Sequence, residues 1–227
     1  MKHIGIVDVT TVGACICANE LVLEANRRGL NDQHPEFSLH AFPFNQYKAL
    51  VFNQEWDKVA DLIVSSIRRL QKAGAEFAIL PVNTIHYAFN KIEELSPLPV
   101  LNLIELTADE CLRRGFTKVA VLGTKLTMEQ GLYDEPLKKR GISPIIPAED
   151  LRNSIQHLIF NEILLAQIKP QTVATLAKQI QELECDAVIL GCTELPEVYN
   201  EANLQRPVID TTRLLAHKAL DYALDSQ

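Results

Sequence analysis

Short apolar runs rich in β-branched residues alternate along this chain with longer segments whose apolar residues recur at helical spacing. Four such runs predict strands in the first half: KHIGIVDV, FSLHAF, FAIL and LPVLNL. Four more follow in the second half: TKVAVLGT, ISPIIP, CDAVILGCTE and RPVID. Strands that alternate with helices in this way are typical of parallel sheets joined by crossover helices.

The segments between the strands predict amphipathic helices. EWDKVADLIVSSIRRLQKAG carries its apolar residues on one face and ends at Gly74, a typical helix stop. The other predicted helices are GACICANELVLEANRRG, IELTADECLRRG, LTMEQGLYDEPLKKRG, SIQHLIFNEILLAQI, KPQTVATLAKQIQELE and TTRLLAHKALDYALD. FNQYKAL is expected to be a loop.

The second half of the pattern repeats the first. KHIGIVDVTTVG resembles TKVAVLGTKLTM, and FAILPVNTIH resembles AVILGCTELP, with Val82 aligned on Cys192. The repeat predicts an α/β fold of two pseudo-symmetric Rossmann-like domains, each with a mostly parallel sheet flanked by helices, and an active-site cleft between them. The expected boundaries are 1–103 plus 210–227 for the first domain and 104–209 for the second.

Polar side chains follow the apolar strands at four places. Ligands of open α/β sheets bind at the carboxyl ends of the strands, where helix N-termini also offer N–H donors to an anion such as a carboxylate. Asn, Asp and Thr also cap helices, so each cluster alone could have only this structural role. The occurrence of matching clusters in both halves weakens that structural interpretation. The clusters are Asp8 to Thr11, Asn83 with Thr84, Thr124 with Thr127, and Cys192 with Thr193 and Glu194.

The composition of the chain limits the classes of molecule that the protein is expected to bind. The 227 residues carry a net charge of −7 without a basic run, which disfavours nucleic acid. No apolar stretch reaches membrane-spanning length, and MKHIGIVDV lacks the features of a signal peptide. Five cysteines, an odd number, favour free thiols in a reducing cytoplasm. The spacing of the cysteines predicts no metal site.

Cys192 is the candidate reactive thiol because it follows a strand and precedes Thr193 and Glu194. A helix N-terminus at that point would depress its pKa and favour the thiolate. His86 could face the same site, or could make a structural hydrogen bond. The remaining cysteines are expected to be small buried hydrophobic residues: Cys15, Cys17, Cys111 and Cys185.

The motifs PVNTIH (81–86), LGTKLTM (122–128) and ILGCTELP (189–196), with EWDKVAD…LQKAGAE (55–76), resemble the aspartate/glutamate racemase family. These racemases have hydantoin racemase and arylmalonate decarboxylase as relatives, and the resemblance covers nearly the whole chain. It implies a two-domain homodimer that needs no cofactor. It also implies two cysteines, one from each half, of which one removes the substrate α-proton and the other returns a proton to the opposite face.

The resemblance assigns roles to the strand-end residues. Cys192 is the single catalytic cysteine, since Val82 occupies the position of the other. Glu194 orients the thiol or binds the substrate ammonium. Asp8 and Thr10 stand where the family has a glycine-rich loop, so Asp8 would repel an acidic substrate or bind its ammonium. The residues implied to hold the α-carboxylate are Asn83, Thr84, Thr124, Thr127 and Thr193.

Other departures from the family leave two questions open. The partner of a side-chain carboxylate is unassigned, because Ala166 and Gln167 stand where the family often has Gly-Lys, with Lys169 close by. Lys48 of FNQYKAL is another weak candidate. The group that replaces the missing thiol is also unassigned, and the candidates by position are Asp8, Thr10, Thr11 and His86.

Three hypotheses follow. The first is an amino-acid racemase of the aspartate/glutamate type, impaired or one-sided, with Cys192 serving one face of the substrate. The second is a single-cysteine decarboxylase or isomerase of a related carboxylic acid, because such chemistry delivers one proton to one face. The third is a carboxylate-binding protein that has lost turnover.

Overall fold

A computed structural model describes residues 1–225, in which strands and helices alternate. The strands are β1 (Ile4–Asp8), β2 (Phe37–Ala41), β3 (Phe77–Ile79), β4 (Val100–Leu101), β5 (Lys118–Leu122), β6 (Ser143–Ile145), β7 (Ala187–Leu190) and β8 (Val208–Asp210). The α-helices are α1 (Thr11–Arg27), α2 (Phe44–Phe52), α3 (Trp56–Lys72), α4 (Phe89–Leu95), α5 (Leu103–Arg113), α6 (Lys125–Glu129), α7 (Asp134–Lys139), α8 (Glu149–His157), α9 (Pro170–Gln181), α10 (Glu201–Leu204) and α11 (Thr211–Leu224). Thr84–Ala88 and Leu195–Glu197 are 3₁₀-helical, and Leu158–Ile163 forms a π-helical segment.

The strands form two four-stranded sheets of the same topology. Their orders are β2-β1-β3-β4 and β6-β5-β7-β8, and every pairing is parallel. Ile4 lies opposite Phe77 in the first sheet, and Val119 lies opposite Ala187 in the second. This register is the one that the sequence repeat requires. The predicted α/β fold with two parallel sheets flanked by helices is therefore confirmed.

The described chain divides into two compact units. Unit 1 contains Met1–Leu106 and the chain from Thr212 onward, and unit 2 contains Thr107–Thr211. In unit 1, α3 packs an apolar face on one side of the sheet, and α1 and α11 cover the other side. In unit 2, α8 and α9 bury apolar residues against β5 and β7. These contacts remove apolar side-chain surface from water, and this stabilises the packing of the helices on each sheet.

Helix α3 shows how the pattern sets the structure. Val59, Ile63 and Ile67 recur every four residues and are fully buried, so they lie on one face of the helix. The chain leaves the helix at Gly74, whose φ of +100° lies in the left-handed region that favours glycine.

Two local predictions were wrong. FNQYKAL is helical rather than a loop, because it belongs to α2, which is anchored by the fully buried Tyr47. LTMEQGLYDEPLKKRG forms two short helices, α6 and α7, because the chain turns at Gly131 with φ +69°. Among residues 1–225, no helix combines the length and the apolar character that a membrane crossing requires.

Candidate active site

The end of β7 carries the candidate nucleophile. Gly191, directly after the strand, donates its backbone N–H to the carbonyl of Leu122 on β5 at 2.7 Å. Cys192 follows, half-buried, and the chain then enters the 3₁₀ turn Leu195–Glu197. A single 3₁₀ turn carries little of the macrodipole that a long α-helix would place beside the thiol.

One carboxylate oxygen organises this strand end. The Cys192 thiol donates a hydrogen bond to Glu194 Oε2 at 3.0 Å, and the Thr193 hydroxyl donates to the same oxygen at 2.7 Å. Thr193 and Glu194 are buried, with exposed fractions of 6% and 7%. Glu194 therefore fixes the direction of both the thiol and the hydroxyl, and it is placed to accept the thiol proton.

The environment of Cys192 raises its pKa well above the ordinary value. Burial is the main cause, and the charge of Glu194 and its hydrogen bond act in the same direction. The backbone N–H groups of Glu194 and Thr193 offset part of this effect. The prediction of a depressed pKa was wrong, because burial and a neighbouring carboxylate outweigh the backbone donors. The thiol is protonated at neutral pH in the absence of a ligand.

The end of β5 packs tightly beside this segment. Thr124 caps the start of α6, and its hydroxyl accepts a hydrogen bond from the backbone N–H of Thr127 at 3.4 Å. The two hydroxyl oxygens lie 3.1 Å apart, with Thr127 buried and Thr124 half-buried. Thr124 is thus a helix cap, as the structural interpretation required. Its hydroxyl retains further donor or acceptor capacity, because a hydroxyl has one hydrogen and two lone pairs.

The end of β3 in unit 1 carries Asn83 and Thr84. Asn83 is buried, Thr84 is half-buried, and Thr84 begins the 3₁₀ segment. Val82 is half-buried and packs against the apolar cluster under α3. This strand end therefore presents an amide and a hydroxyl beside a hydrocarbon.

His86 has a structural role. Its Nδ1–H donates to the Val82 carbonyl at 3.0 Å, and its Nε2 accepts from the Leu103 N–H at 3.2 Å. Burial lowers its pKa to about 4, although the backbone groups of Val82 and Asn83 act in the opposite direction. Both ring nitrogens are occupied and the ring is neutral, so His86 does not replace the missing thiol.

The end of β1 holds the buried Asp8, which is 1% exposed. Burial raises the pKa of Asp8, and a hydrogen bond from Thr11 and the charge of His40 lower it. Thr10 is the residue before α1, yet its side chain makes no capping hydrogen bond. The capping interpretation therefore does not explain Thr10.

Two lysines are the other candidates for binding a substrate carboxylate. Lys48 and Lys169 are exposed, and the backbone N–H of Lys169 donates to the buried Glu162 at 2.9 Å. Ala166 and Gln167 are exposed in the turn before α9.

The other cysteines were only partly predicted. Cys17 and Cys111 are buried, but Cys15 is exposed, so the prediction of burial was wrong there. Cys185 is half-buried, and Arg206 contacts its sulfur at 2.7 Å. None of these cysteines follows a strand, which separates them from Cys192.

One group of metal-ligating side chains occurs within residues 1–225. Glu20, Glu24 and His217 place ligand atoms within 4.8 Å of one another in unit 1. Arg27 and Arg213 pair with Glu20, and Arg27 also pairs with Glu24. These cations already balance the carboxylates, so the group is an ion-pair network between α1 and α11.

The α/β fold of the chain agrees with comparisons to known proteins. The family described as Asp/Glu/Hydantoin racemase matches residues 18–219. The chain belongs to that family. The resemblance inferred from the motifs is confirmed, and so is the expectation of a racemase-type enzyme, at the level of the family.

Individual relatives agree with this assignment. The broad specificity amino-acid racemase RacX of Bacillus subtilis is 28% identical over 75% of each chain. A glutamate racemase of Aquifex aeolicus is 30% identical over 67% of this chain and 61% of that enzyme. A crystal structure of a candidate Asp/Glu racemase from Yersinia pestis has a TM-score of 0.91 and 28% identity, covering 99% of this chain and 100% of that one. PH1733, an aspartate racemase homologue from Pyrococcus horikoshii, has a TM-score of 0.82 and 27% identity, covering 98% and 99%.

Proposed function

We propose that this protein is a cofactor-independent amino-acid racemase of the aspartate/glutamate type, in which Cys192 transfers the substrate α-proton. The observation that carries the proposal is the hydrogen bond from the Cys192 thiol to the buried Glu194 carboxylate at the end of β7. The racemases of amino acids, glutamate and aspartate among its relatives support an amino-acid substrate. We also propose that it is a cytoplasmic homodimer that uses neither pyridoxal phosphate nor a metal.

Glu194 makes the thiol competent as a base. Its Oε2 lies 3.0 Å from Sγ, so it accepts the thiol proton as the substrate arrives. The thiolate then takes the proton from the substrate Cα, and negative charge spreads from Cα into the α-carboxylate. In the reverse direction, the protonated thiol returns the proton. General acid–base transfer by a positioned side chain contributes about 10²- to 10⁴-fold to rate.

Hydroxyl and amide groups stabilise the developing charge in this proposal. Thr193 and Thr124 serve the α-carboxylate at the strand ends of unit 2, and Asn83 and Thr84 occupy the matching strand end of unit 1. Thr127 supports Thr124 through the contact between their hydroxyls. Hydrogen bonds that strengthen as the carboxylate gains charge favour the transition state over the bound substrate.

In this proposal a cysteine serves only one face of the substrate, because Val82 has no proton to give. Water or another protein group serves the face opposite Cys192. Since both nitrogens of His86 are engaged with the backbone, the protein groups that remain are Asp8, Thr10 and Thr11.

The test is loss of the α-proton signal in D₂O, followed by ¹H NMR with L- and D-aspartate and L- and D-glutamate. We expect exchange from at least one enantiomer that is abolished in Cys192→Ala. Cys185→Ala is the matched control, since Cys185 is also a half-buried cysteine of unit 2, and it should exchange normally. Exchange that survives in folded Cys192→Ala would exclude the catalytic assignment.

A single-cysteine decarboxylase is the second candidate. It is favoured by Val82, which packs against the apolar cluster under α3 and would suit a site that expels a carboxylate. Release of CO₂ from a 2-arylmalonate that depends on Cys192, without exchange of any amino acid, would select this candidate. If the protein binds carboxylates but catalyses neither exchange nor decarboxylation, it is a carboxylate-binding protein.

A further inference from the structure

Strand β2 has an open edge. It is the first strand in the order β2-β1-β3-β4, so among the described strands it pairs with β1 alone. The Ile4 N–H donates to the Glu36 carbonyl, and Ile4 lies opposite Phe37. In a parallel ladder this register turns the backbone of His40 toward β1 and the backbone of its neighbours away from it. The residues of β2 whose N–H and C=O groups face outward are Phe37, Leu39 and Ala41.

This edge is exposed and carries no charge. Leu39 is 40% exposed, and Ala41 is also exposed. Residues 37–42 read FSLHAF, without Lys, Arg, Asp, Glu or Pro. Burial and the charge of Arg69 lower the pKa of His40, so the segment is neutral at neutral pH. Proteins usually protect such an edge with charges, with proline or with a covering segment, because an open edge is a template for another strand.

The other edge strands within residues 1–225 are shorter, and one is blocked. β4, β6 and β8 have two, three and three residues, against five in β2. β6 takes the place of β2 in the second sheet, and its Ser143 N–H donates to the Thr117 carbonyl beside β5. Pro144 therefore faces outward, at the position that matches Phe37, and proline has no N–H to offer. Unit 2 blocks the edge that unit 1 leaves open.

We propose that β2 pairs in antiparallel orientation with β2 of a second copy of this chain, across a two-fold axis at Leu39. Pairing centred on Leu39 sets Phe37 of each copy opposite Ala41 of the other. Every outward-facing residue then meets an outward-facing residue, and each such pair exchanges two hydrogen bonds. The proposal rests on the proposed homodimer and deepens it, because it names the surface through which two copies associate.

The charges around β2 favour a second copy as the occupant. Each copy has a net charge of −7, so two copies repel one another except where the contact is neutral or paired. The register that pairs 37 with 41 also sets Glu36 of one copy opposite Phe42 of the other. Arg69 lies over the Phe42 ring, with Cζ 4.5 Å from the ring centroid, and the Glu36 side chain is 78% exposed. Glu36 thus meets a guanidinium of opposite charge, and the two-fold axis makes this contact twice.

The test is an exchange of charge at the proposed axis. Leu39→Lys and Leu39→Glu each place two like charges opposite one another, which should raise the dissociation constant of the dimer roughly a hundredfold. A mixture of the two variants should form a one-to-one heterodimer, because opposite charges then meet across the strands. Analytical ultracentrifugation of the full chain over a range of concentrations, with one variant carrying a fluorescent label, measures both effects.

Ile146→Lys is the matched control. Ile146 directly follows β6, the equivalent edge of unit 2, and it is 44% exposed against 40% for Leu39. The control adds the same charge at a similar exposure, and it should leave the dimer unchanged. Circular dichroism should show the folded spectrum for all three variants, since each substituted side chain is exposed.

Amide hydrogen exchange gives a second measurement on wild type alone. The outward-facing amide of Ala41 should exchange at least about tenfold more slowly at a concentration where the dimer forms than at one where the monomer prevails. The amide of His40 faces β1 within each copy, so its exchange rate should be the same at both concentrations. This measurement keeps the test valid if a variant at Leu39 does not fold.

A wild-type dimer that both Leu39 variants leave intact would overturn the β2 surface and keep the homodimer. Dissociation without recovery in the mixture, or an Ala41 amide that exchanges equally fast at both concentrations, would overturn the surface as well. A wild-type chain that is monomeric at every concentration would overturn both the surface and the homodimer.

α-Proton exchange on the same samples reports separately on the racemase. Exchange that depends on Cys192 in a monomeric chain would keep the racemase and reject the surface. A dimer that the Leu39 variants dissociate and their mixture restores, without exchange in wild type, would keep the surface and reject the racemase.

Discussion

Gly123 controls the position of the Cys192 segment through backbone packing. A Cβ atom at Gly123 would lie 3.0 Å from the carbonyl oxygen of Gly191 and 3.2 Å from the Cβ of Thr127. Gly191 precedes Cys192, and its N–H is bonded to β5. Because the closest obstacle is backbone, Gly123→Ala must move the peptide that carries the thiol.

The expected magnitude follows from these distances. Overpacking of this kind costs about 1–3 kcal/mol, and in a chain of this size each kcal/mol lowers Tm by roughly 2–4 °C. We therefore expect Gly123→Ala to lower Tm by roughly 2–12 °C. A shift of a few tenths of an ångström at Cys192 should also slow α-proton exchange by about tenfold, since misplacement by a full ångström costs about 10²-fold.

Gly5→Ala provides the control. A Cβ at Gly5 would lie 3.1 Å from the Cβ of Ala75 and 3.2 Å from that of Leu70, so it is similarly crowded but lies in unit 1. Both variants should lose thermal stability in differential scanning calorimetry. At a temperature where both are folded, only Gly123→Ala should exchange slowly and show altered alkylation of Cys192 by peptide mass spectrometry. Equal exchange rates in the two variants would refute the positioning role of Gly123.

Three further predictions concern charge and proton transfer. Glu194→Gln should lower the pKa of Cys192, because it removes the neighbouring negative charge. Alkylation of Cys192 by iodoacetamide should then become fast at a lower pH than in wild type. An unchanged dependence of the alkylation rate on pH would contradict the contact between Cys192 and Glu194. Val82→Cys should raise two-way racemisation by about 10²- to 10⁴-fold, measured by circular dichroism, and no gain would mean that another group serves that face. Asp186 accepts hydrogen bonds from the backbone N–H and the hydroxyl of Thr117, and these bonds lower the pKa of Asp186 in the folded state. The stability that Asp186 contributes is therefore fully present at a pH above its pKa in the unfolded chain, and it is lost as the pH falls through its lower pKa in the folded protein. Asp186→Asn should therefore destabilise the protein by about 1 kcal/mol at pH 7 and by less near pH 3 in urea titrations.

The strands and their repeat were predictable because they depend on local pattern. β-Branched runs such as FAIL and AVIL favour strands, and a strand end is where an apolar run meets polar residues. The alignment of Val82 on Cys192 needed only the sequence, and the strand register agrees with it. The positions of the candidate residues at strand ends followed from the same pattern.

The electrostatic environment was not predictable, because it depends on contacts between distant residues and on burial. The role of His86 is set by Leu103, which lies 17 residues further along the chain. The high pKa of Cys192 comes from burial, which opposes the effect expected from a helix start. Helix α2 was not predicted, although the helical spacing of Tyr47 with Leu50 and Val51 is a signal that could have found it.

The end of β5 in unit 2 and the matching end of β1 in unit 1 carry different residues, and packing gives a physical reason for the residue at the end of β5. Gly123 lets β5 and β7 approach closely enough that a Cβ would meet the Gly191 carbonyl, and this contact fixes the thiol. The aligned position in unit 1 carries the buried Asp8, so the end of β1 cannot use the same glycine contact. The position of the thiol therefore depends on a glycine that the matching strand end of unit 1 lacks.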